Sequence, residues 1–225
     1  MLEGRNLSKV YGLGAASVRA LDNASLSIAP GDFLIICGRS GSGKSTLLHL
    51  LGGLDTPTSG DVFFQGSSIF NFTEKQLTDW RRETIGYMFQ EPCLVPHLSA
   101  LDNIALPLKY RGWPVKKRLS TAKDILEKVG LKERVNNRPH ELSGGEAQRV
   151  ALARALIAEA GFVLADEPTG ELDSQTASSL GQLLLDINLQ NKVSFVVVTH
   201  DPVLIELGTK VIELSDGKIA ANSLP

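Results

Sequence analysis

The sequence predicts an α/β fold: a core built on a parallel sheet, an antiparallel β portion supplied mainly by the N-terminal region, and a helical segment inserted between core strands. Three observations predict it. Phe33-Leu34-Ile35-Ile36-Cys37 and Phe162-Val163-Leu164-Ala165 are uniformly apolar and Val193 to Val198 is close to it, which is the pattern of strands buried on both faces. Leu2 to Leu7 and Ser25 to Ile28 alternate in polarity, as half-buried antiparallel strands do. Asp61 to Gln65 reads the same way, and Pro30-Gly31-Asp32 is a turn. From about Glu91 to Ala160 there is no comparable β run, and Ala122, Ile125, Leu126 and Val129 recur at helical spacing.

The chain has 225 residues with 43% hydrophobic content, enough to fill the core of one large domain. Its 23 basic and 25 acidic residues leave a formal charge of −2, so no general electrostatic pull toward nucleic acid or anionic lipid is expected. Lys116-Lys117-Arg118 reads as a solvated helix face. No apolar run approaches the roughly 20 residues of a spanning helix. The start, Met1-Leu2-Glu3-Gly4-Arg5-Asn6, has no apolar signal core, and Cys37 and Cys93 form no CxxC or zinc pattern, so a reducing cytoplasm is the expected compartment and both cysteines read as structural.

Directly after the first buried strand, Gly38-Arg39-Ser40-Gly41-Ser42-Gly43-Lys44-Ser45-Thr46 fits G-x-x-x-x-G-K-[ST] and runs into Leu47-Leu48-His49-Leu50-Leu51. Glycines let successive N–H groups turn inward around phosphate oxygens, and the following helix presents unpaired N–H groups and its positive dipole end to the same anion. Lys44 is then expected to reach the β- and γ-phosphates of a nucleotide, and Ser45 to ligate Mg²⁺. Gly52-Gly53 should end the helix.

Phe162-Val163-Leu164-Ala165-Asp166-Glu167-Pro168 is an apolar strand that delivers two carboxylates at its C-terminal end, the edge where open α/β sheets bind ligands. Side chains alternate along a strand, so the two should diverge. Asp166 suits the holding of Mg²⁺ beside Ser45, and Glu167 suits positioning and polarising a water that attacks the γ-phosphate. Pro168 should keep Glu167 out of the helical region and stop the strand.

Leu142-Ser143-Gly144-Gly145-Glu146-Ala147-Gln148-Arg149 carries Ser143 and Glu146 in capping-box spacing ahead of Val150-Ala151-Leu152-Ala153-Arg154-Ala155-Leu156. Two glycines in the first turn weaken a helix by about 1 kcal/mol each relative to alanine while opening its backbone to a close anion. This run resembles the signature of the ABC ATPases. In order around it stand Tyr11, the phosphate loop, Gln90, the acidic strand end, Leu172-Asp173 and His200, so the resemblance spans essentially the whole chain.

The resemblance implies a P-loop NTPase with a RecA-like core and an antiparallel β subdomain (residues 1–90 and 161–225), plus an inserted α-helical subdomain carrying the signature (residues 91–160), all within one ABC ATPase domain. It also implies an ATP-hydrolysing subunit with ATP and Mg²⁺, forming a homodimer in the ATP-bound state. There Ser143, Gly144, Gly145 and Glu146 of one copy would face the γ-phosphate held by Lys44 of the other. Tyr11 matches the aromatic that stacks on adenine, and Gln90 the residue that contacts Mg²⁺ or the attacking water and reports to the membrane partner. His200 matches the switch histidine at the γ-phosphate, and Asp173 the aspartate linking the two sites. Glu171 departs from the family, whose members more often carry a neutral residue such as asparagine there.

Gly52 to Gly60 and Ala105 to Gly112 are most similar to the ATPases of lipoprotein-releasing and macrolide-exporting systems. The implied partner is a separate integral membrane permease-type subunit, with this chain peripheral on the cytoplasmic face of the inner membrane and no nucleic acid bound. A GTPase should offer N-K-x-D, and Asn191-Lys192-Val193-Ser194 lacks the aspartate. ABC proteins acting on DNA or ribosomes resemble split halves with coiled-coil insertions or tandem ATPase domains, and neither is present. Intact Glu167 and His200 argue against a scaffold that does not hydrolyse.

Overall fold

A computed structural model of the chain describes residues 1–12 and 16–220. The strands are β1 (Leu2–Tyr11), β2 (Val18–Ile28), β3 (Phe33–Cys37), β4 (Ser59–Phe64), β5 (Ser67–Ser68), β6 (Ile85–Met88), β7 (Phe162–Asp166), β8 (Ser194–Val198), β9 (Lys210–Ser215) and β10 (Lys218–Ile219). The α-helices are α1 (Lys44–Leu51), α2 (Glu74–Thr84), α3 (Ala100–Tyr110), α4 (Val115–Lys128), α5 (Gly144–Leu156), α6 (Ser174–Asn191) and α7 (Pro202–Leu207). None of the described helices is long and apolar enough to cross a membrane.

Two sheets form. The larger has the order β10-β9-β3-β8-β7-β6, parallel throughout except where β10 folds back on β9. The smaller, β2-β1-β4-β5, is antiparallel. Both kinds of strand match what the patterning predicts, but β1 and β2 run well past the alternating stretches read from the sequence. The ladder explains why: register shifts interrupt β1 between Gly4 and Leu7 and again on both sides of Lys9, and Asn6 and Asn23 turn through positive φ. Each bulge flips the face assignment, so alternation stops being visible although pairing continues. β4 likewise ends at Phe64, because Gln65 enters the left-handed region.

The large sheet is a wall between two cores. Phe33, Ile35, Phe195, Val197, Val163 and Ala165 point to one side, against residues of α3, α4, α5 and α6 such as Ile104, Leu126, Leu152 and Leu184. Leu34, Ile36, Val196, Val198 and Leu164 point to the other, against α1 and the antiparallel sheet. All four leucines of α1 that flank His49 are fully buried, because the helix is wedged between both sheets. At about 2 kcal/mol for each buried leucine, this packing fixes the helix axis firmly. Gly52 then caps α1, as expected, and packs directly against the Tyr87 hydroxyl.

The segment between residues 91 and 160 contains α3, α4 and α5 and no strand. Lys116 and Lys117 lie exposed and Arg118 half-buried on α4, with the Lys117 ammonium 4.1 Å above the Trp113 ring. Cys37 is half-buried and Cys93 exposed, both as free thiols.

Candidate active site

Strands β3, β8 and β7 end together, and the loops that follow them meet. After β3 the chain turns through Gly38 (φ 145°), Gly41 (φ 79°) and Gly43 (φ 101°), a path closed to other residues without strain. It is also hemmed from outside: a Cβ on Gly38 would lie 2.2 Å from the Leu214 carbonyl oxygen, and one on Gly43 would lie 2.1 Å from that of Ala20. Gly43 caps α1 with no side-chain acceptor, and no acid sits in the first turn, so the N-terminal N–H groups remain available to an anion. The Lys44 ammonium folds back along the loop and donates to the carbonyls of Gly38 (2.9 Å) and Arg39 (3.1 Å).

The acidic pair divides as alternation requires. Asp166 turns toward α1 and accepts from the Ser45 hydroxyl at 3.0 Å, although 121 positions separate them in sequence. Burial pushes its carboxyl above the usual range, with the Ser45 hydrogen bond opposing. Glu167 turns the other way. Its Oε1 meets His200 Nδ1 at 2.9 Å, and its own N–H is tied to the Val198 carbonyl at 2.9 Å. Pro168 was expected to force Glu167 out of the helical region and to end the strand. The strand does end there, but Glu167 has φ 46°, in the left-handed region rather than extended. Of the conformations left once right-handed helix is excluded, this one aims the carboxylate at His200.

A cleft of ≈ 580 Å³ is lined by Gly38, Arg39, Ser40, Gly41, Gly43, Lys44, Ser45, Thr46, Gln90, Glu167 and His200, together with Ala20. Ser42 lies behind this surface, buried with its hydroxyl unpartnered, and Asp166 lies at the base beside Ser45. Tyr11 stands apart at the end of β1 with its phenol on Asp55, 2.8 Å away. Burial raises the pKa of its phenol above the ordinary value, opposed by the neighbouring Thr46 hydroxyl and reinforced by Asp55.

Ser143, Gly144, Gly145 and Glu146 do not line this cleft. They start α5, where the capping box read from the sequence is formed in full: Ser143 Oγ accepts from the Glu146 N–H (3.3 Å), and Glu146 Oε2 accepts from the Ser143 N–H (2.8 Å). The other Glu146 oxygen takes Arg134 Nε at 2.7 Å, so both are occupied within the chain. Asp173 caps α6, accepting from the N–H groups of Gln175 and Thr176 and from the Thr176 hydroxyl at 2.6 Å. Glu171 is exposed nearby.

Four residues that sequence reasoning passed over hold these groups. Gln148, 3% exposed on α5, donates to the carbonyls of Phe89 (3.2 Å) and Gln90 (2.5 Å). Arg154, two turns further along, donates to those of Pro92 and Cys93, both at 2.7 Å, so α5 fastens the loop that carries Gln90. The signal existed: Gln148 falls on the helix face of Gly145 and Leu152, an amide in a buried row. Thr176 and Asp55 carried no such sign.

Residues 21–170 match the family described as ABC transporter. An uncharacterized ABC transporter ATP-binding protein of Thermotoga maritima is 45% identical over 211 residues, covering 94% of this chain and 90% of its own. The lipoprotein-releasing system ATP-binding protein LolD of Syntrophus aciditrophicus is 43% identical over 219 residues, 97% of this chain and 98% of that one. The dimeric post-hydrolysis structure of the ATP-binding cassette MJ0796 bound to ADP and Pi matches with a TM-score of 0.89 and 39% identity, covering 97% of this chain and 96% of that one. Likeness of this extent falls on a chain whose strand ends already bring a phosphate loop to a carboxylate pair, and it settles the family: the chain belongs to the ABC transporter ATP-binding proteins and is an ABC ATPase.

Proposed function

We propose that this ATPase hydrolyses Mg-ATP between two copies of itself and passes the cycle to a separate membrane subunit of the permease type, at the cytoplasmic face of the cell membrane. The observation that carries this reading is the parting of the acidic pair, with Asp166 on Ser45 and Glu167 on His200 at the lip of the phosphate-loop cleft. In this reading Lys44 and the loop N–H groups hold the β- and γ-phosphates, and Tyr11 supports the adenine. Glu167 orients and polarises the attacking water, with His200 and Gln90 beside the γ-phosphate.

Ser45 and Asp166 are hard oxygen donors, and no cluster of three His, Cys, Asp or Glu suited to a metal occurs among the described residues. That donor set fits Mg²⁺, which binds one or two protein oxygens and takes its remaining ligands from phosphate and water. Bound there, Mg²⁺ would neutralise charge on the phosphate oxygens. The signature residues lie off the cleft of their own chain, which favours their acting on a partner's nucleotide. The MJ0796 structure, a dimer with ADP and Pi, supports the same arrangement. Likeness to LolD favours lipoprotein release over macrolide or peptide export.

Glu167→Gln keeps size and hydrogen bonding but cannot polarise water, so Mg-ATP should accumulate this variant as a dimer, read by light scattering, with hydrolysis nearly lost. Adding Ser143→Arg should abolish the dimer and leave ATP binding to the monomer intact. A dimer that persists in the double variant would refute sharing of the site between copies.

A further inference from the structure

The aromatic side chain at the end of β1 is not free to swing. Its phenol donates to Asp55 Oδ2 at 2.8 Å, and the Lys9 ammonium lies 4.9 Å from its ring centroid. Lys9 is itself locked, donating to Asp55 Oδ1 and to the Thr56 carbonyl, both at 2.6 Å, with only 12% of its side chain exposed. Asp55 Oδ1 also accepts the Thr56 N–H at 2.7 Å, so the carboxylate is fixed on its own loop before it reaches Tyr11. Two further bonds stitch the same loop to β1: Val10 N–H to Thr58 Oγ1 (3.0 Å) and Thr58 N–H to the Ser8 carbonyl (2.8 Å).

That loop leaves the C-terminal end of α1, whose N-terminal end forms the phosphate site, and α1 is immobilised between the two sheets. We infer that Asp55, with Lys9, is a positioning residue for nucleotide: it sets the angle and distance of the Tyr11 ring relative to the phosphate loop, and so matches the site to the span from adenine to triphosphate. The inference rests on the reading that Tyr11 carries the base. Lys9 covers one flank of the ring, and the residue as a whole stays 42% exposed, leaving surface for a base. An aromatic held in place beforehand loses less freedom on binding than a loose one, so the latch acts on affinity.

The test is a set of variants titrated in EDTA with ATP and with inorganic tripolyphosphate, which has no base, beside steady-state KM and kcat with Mg-ATP. Tyr11→Ala examines the underlying reading and should weaken ATP at least tenfold while sparing tripolyphosphate. Tyr11→Phe keeps the ring and removes the phenol bond, and it should weaken ATP about fivefold, the net size of one ordinary hydrogen bond. Asp55→Ala should do the same, with the effect on KM rather than kcat, and the double variant Tyr11→Phe with Asp55→Ala should be no worse than either alone. If Tyr11→Ala leaves ATP affinity intact, the base-platform reading fails. If Tyr11→Ala weakens ATP but Tyr11→Phe does not, that reading stands and the latch is refuted. A loss for Asp55→Ala equal on ATP and tripolyphosphate would also refute it, since damage to α1 would strike both.

Discussion

Gly145 offers a perturbation whose outcome can be worked from distances. A methyl group at this position would sit 2.3 Å from Thr176 Cγ2, where ordinary carbon contacts are about 3.5–4.0 Å, so α5 and α6 would have to part by about 1.2–1.7 Å. Gly144 is different, because its nearest neighbour would be Leu172 Cδ2 at 3.4 Å, a contact that yields with a small rotation. Helix propensity alone makes Gly→Ala stabilising by up to about 1 kcal/mol, whereas overpacking of this size costs about 1–3 kcal/mol. Gly145→Ala should therefore melt lower than wild type, by up to about 8 °C at this chain length, and Gly144→Ala should not. The displaced helix start should also weaken the Mg-ATP-dependent dimer of the Glu167→Gln background, read by light scattering. The suppressor is specific: Thr176→Ser removes the offending methyl and keeps the hydroxyl bond to Asp173, so Gly145→Ala with Thr176→Ser should recover both melting temperature and dimer. A single variant that melts above wild type with its dimer intact, or a double variant no better than the single, would refute the reasoning.

Two further outcomes follow from the same region. Gln148→Leu removes the donor to the Phe89 and Gln90 carbonyls, but it also removes a buried Oε1 that has no partner, so stability should shift by less than about 4 °C while kcat falls about tenfold through the loosened Gln90 loop. Unchanged turnover per folded molecule would sink that idea. Asp173 is held below its ordinary value of 3.8, first by the Thr176 hydroxyl and then by the Thr176 N–H. The folded state thus favours the carboxylate, and its contribution is present above pH 3.8 and lost as pH falls through the lowered value. The melting difference between wild type and Asp173→Ala should be steady near neutral pH and close in strong acid, and a gap that grew on acidification would contradict it.

Most of the site was legible because its signals are local. The phosphate loop, the apolar strand ending in Asp166-Glu167 and the S-x-x-E cap each occupy fewer than ten consecutive residues, and each forms as its spacing requires. What stayed hidden depends on distant partners. Nothing near Asp55 in sequence announces Lys9 or Tyr11, since the bonds span 46 and 44 positions. Thr176 gains meaning only because α5 and α6 touch at a glycine. The bulges of β1 hid its last four residues, because they erase the alternation by which a strand is recognised. The backbone of Glu167 was legible only in part for a similar reason: the proline rule excludes the right-handed helical region, and the bond to the distant Val198 carbonyl accompanies the choice among the rest.

The order of the large sheet sets a length. Because β8 lies between β3 and β7, the loop after β3 and the carboxylates after β7 start from strands two spacings apart, roughly 9.5 Å. Adjacent strands would halve that interval and press two carboxylates onto the oxygens of any bound anion, at a repulsion of about 4 kcal/mol per close pair near a surface. The intervening strand thus works as a gauge block, keeping acid and anion far enough apart for a small molecule to stand between them. It also decides which residue overlooks that interval, for β8 runs on through Thr199 to His200, so the imidazole arrives mid-gap by sheet order alone.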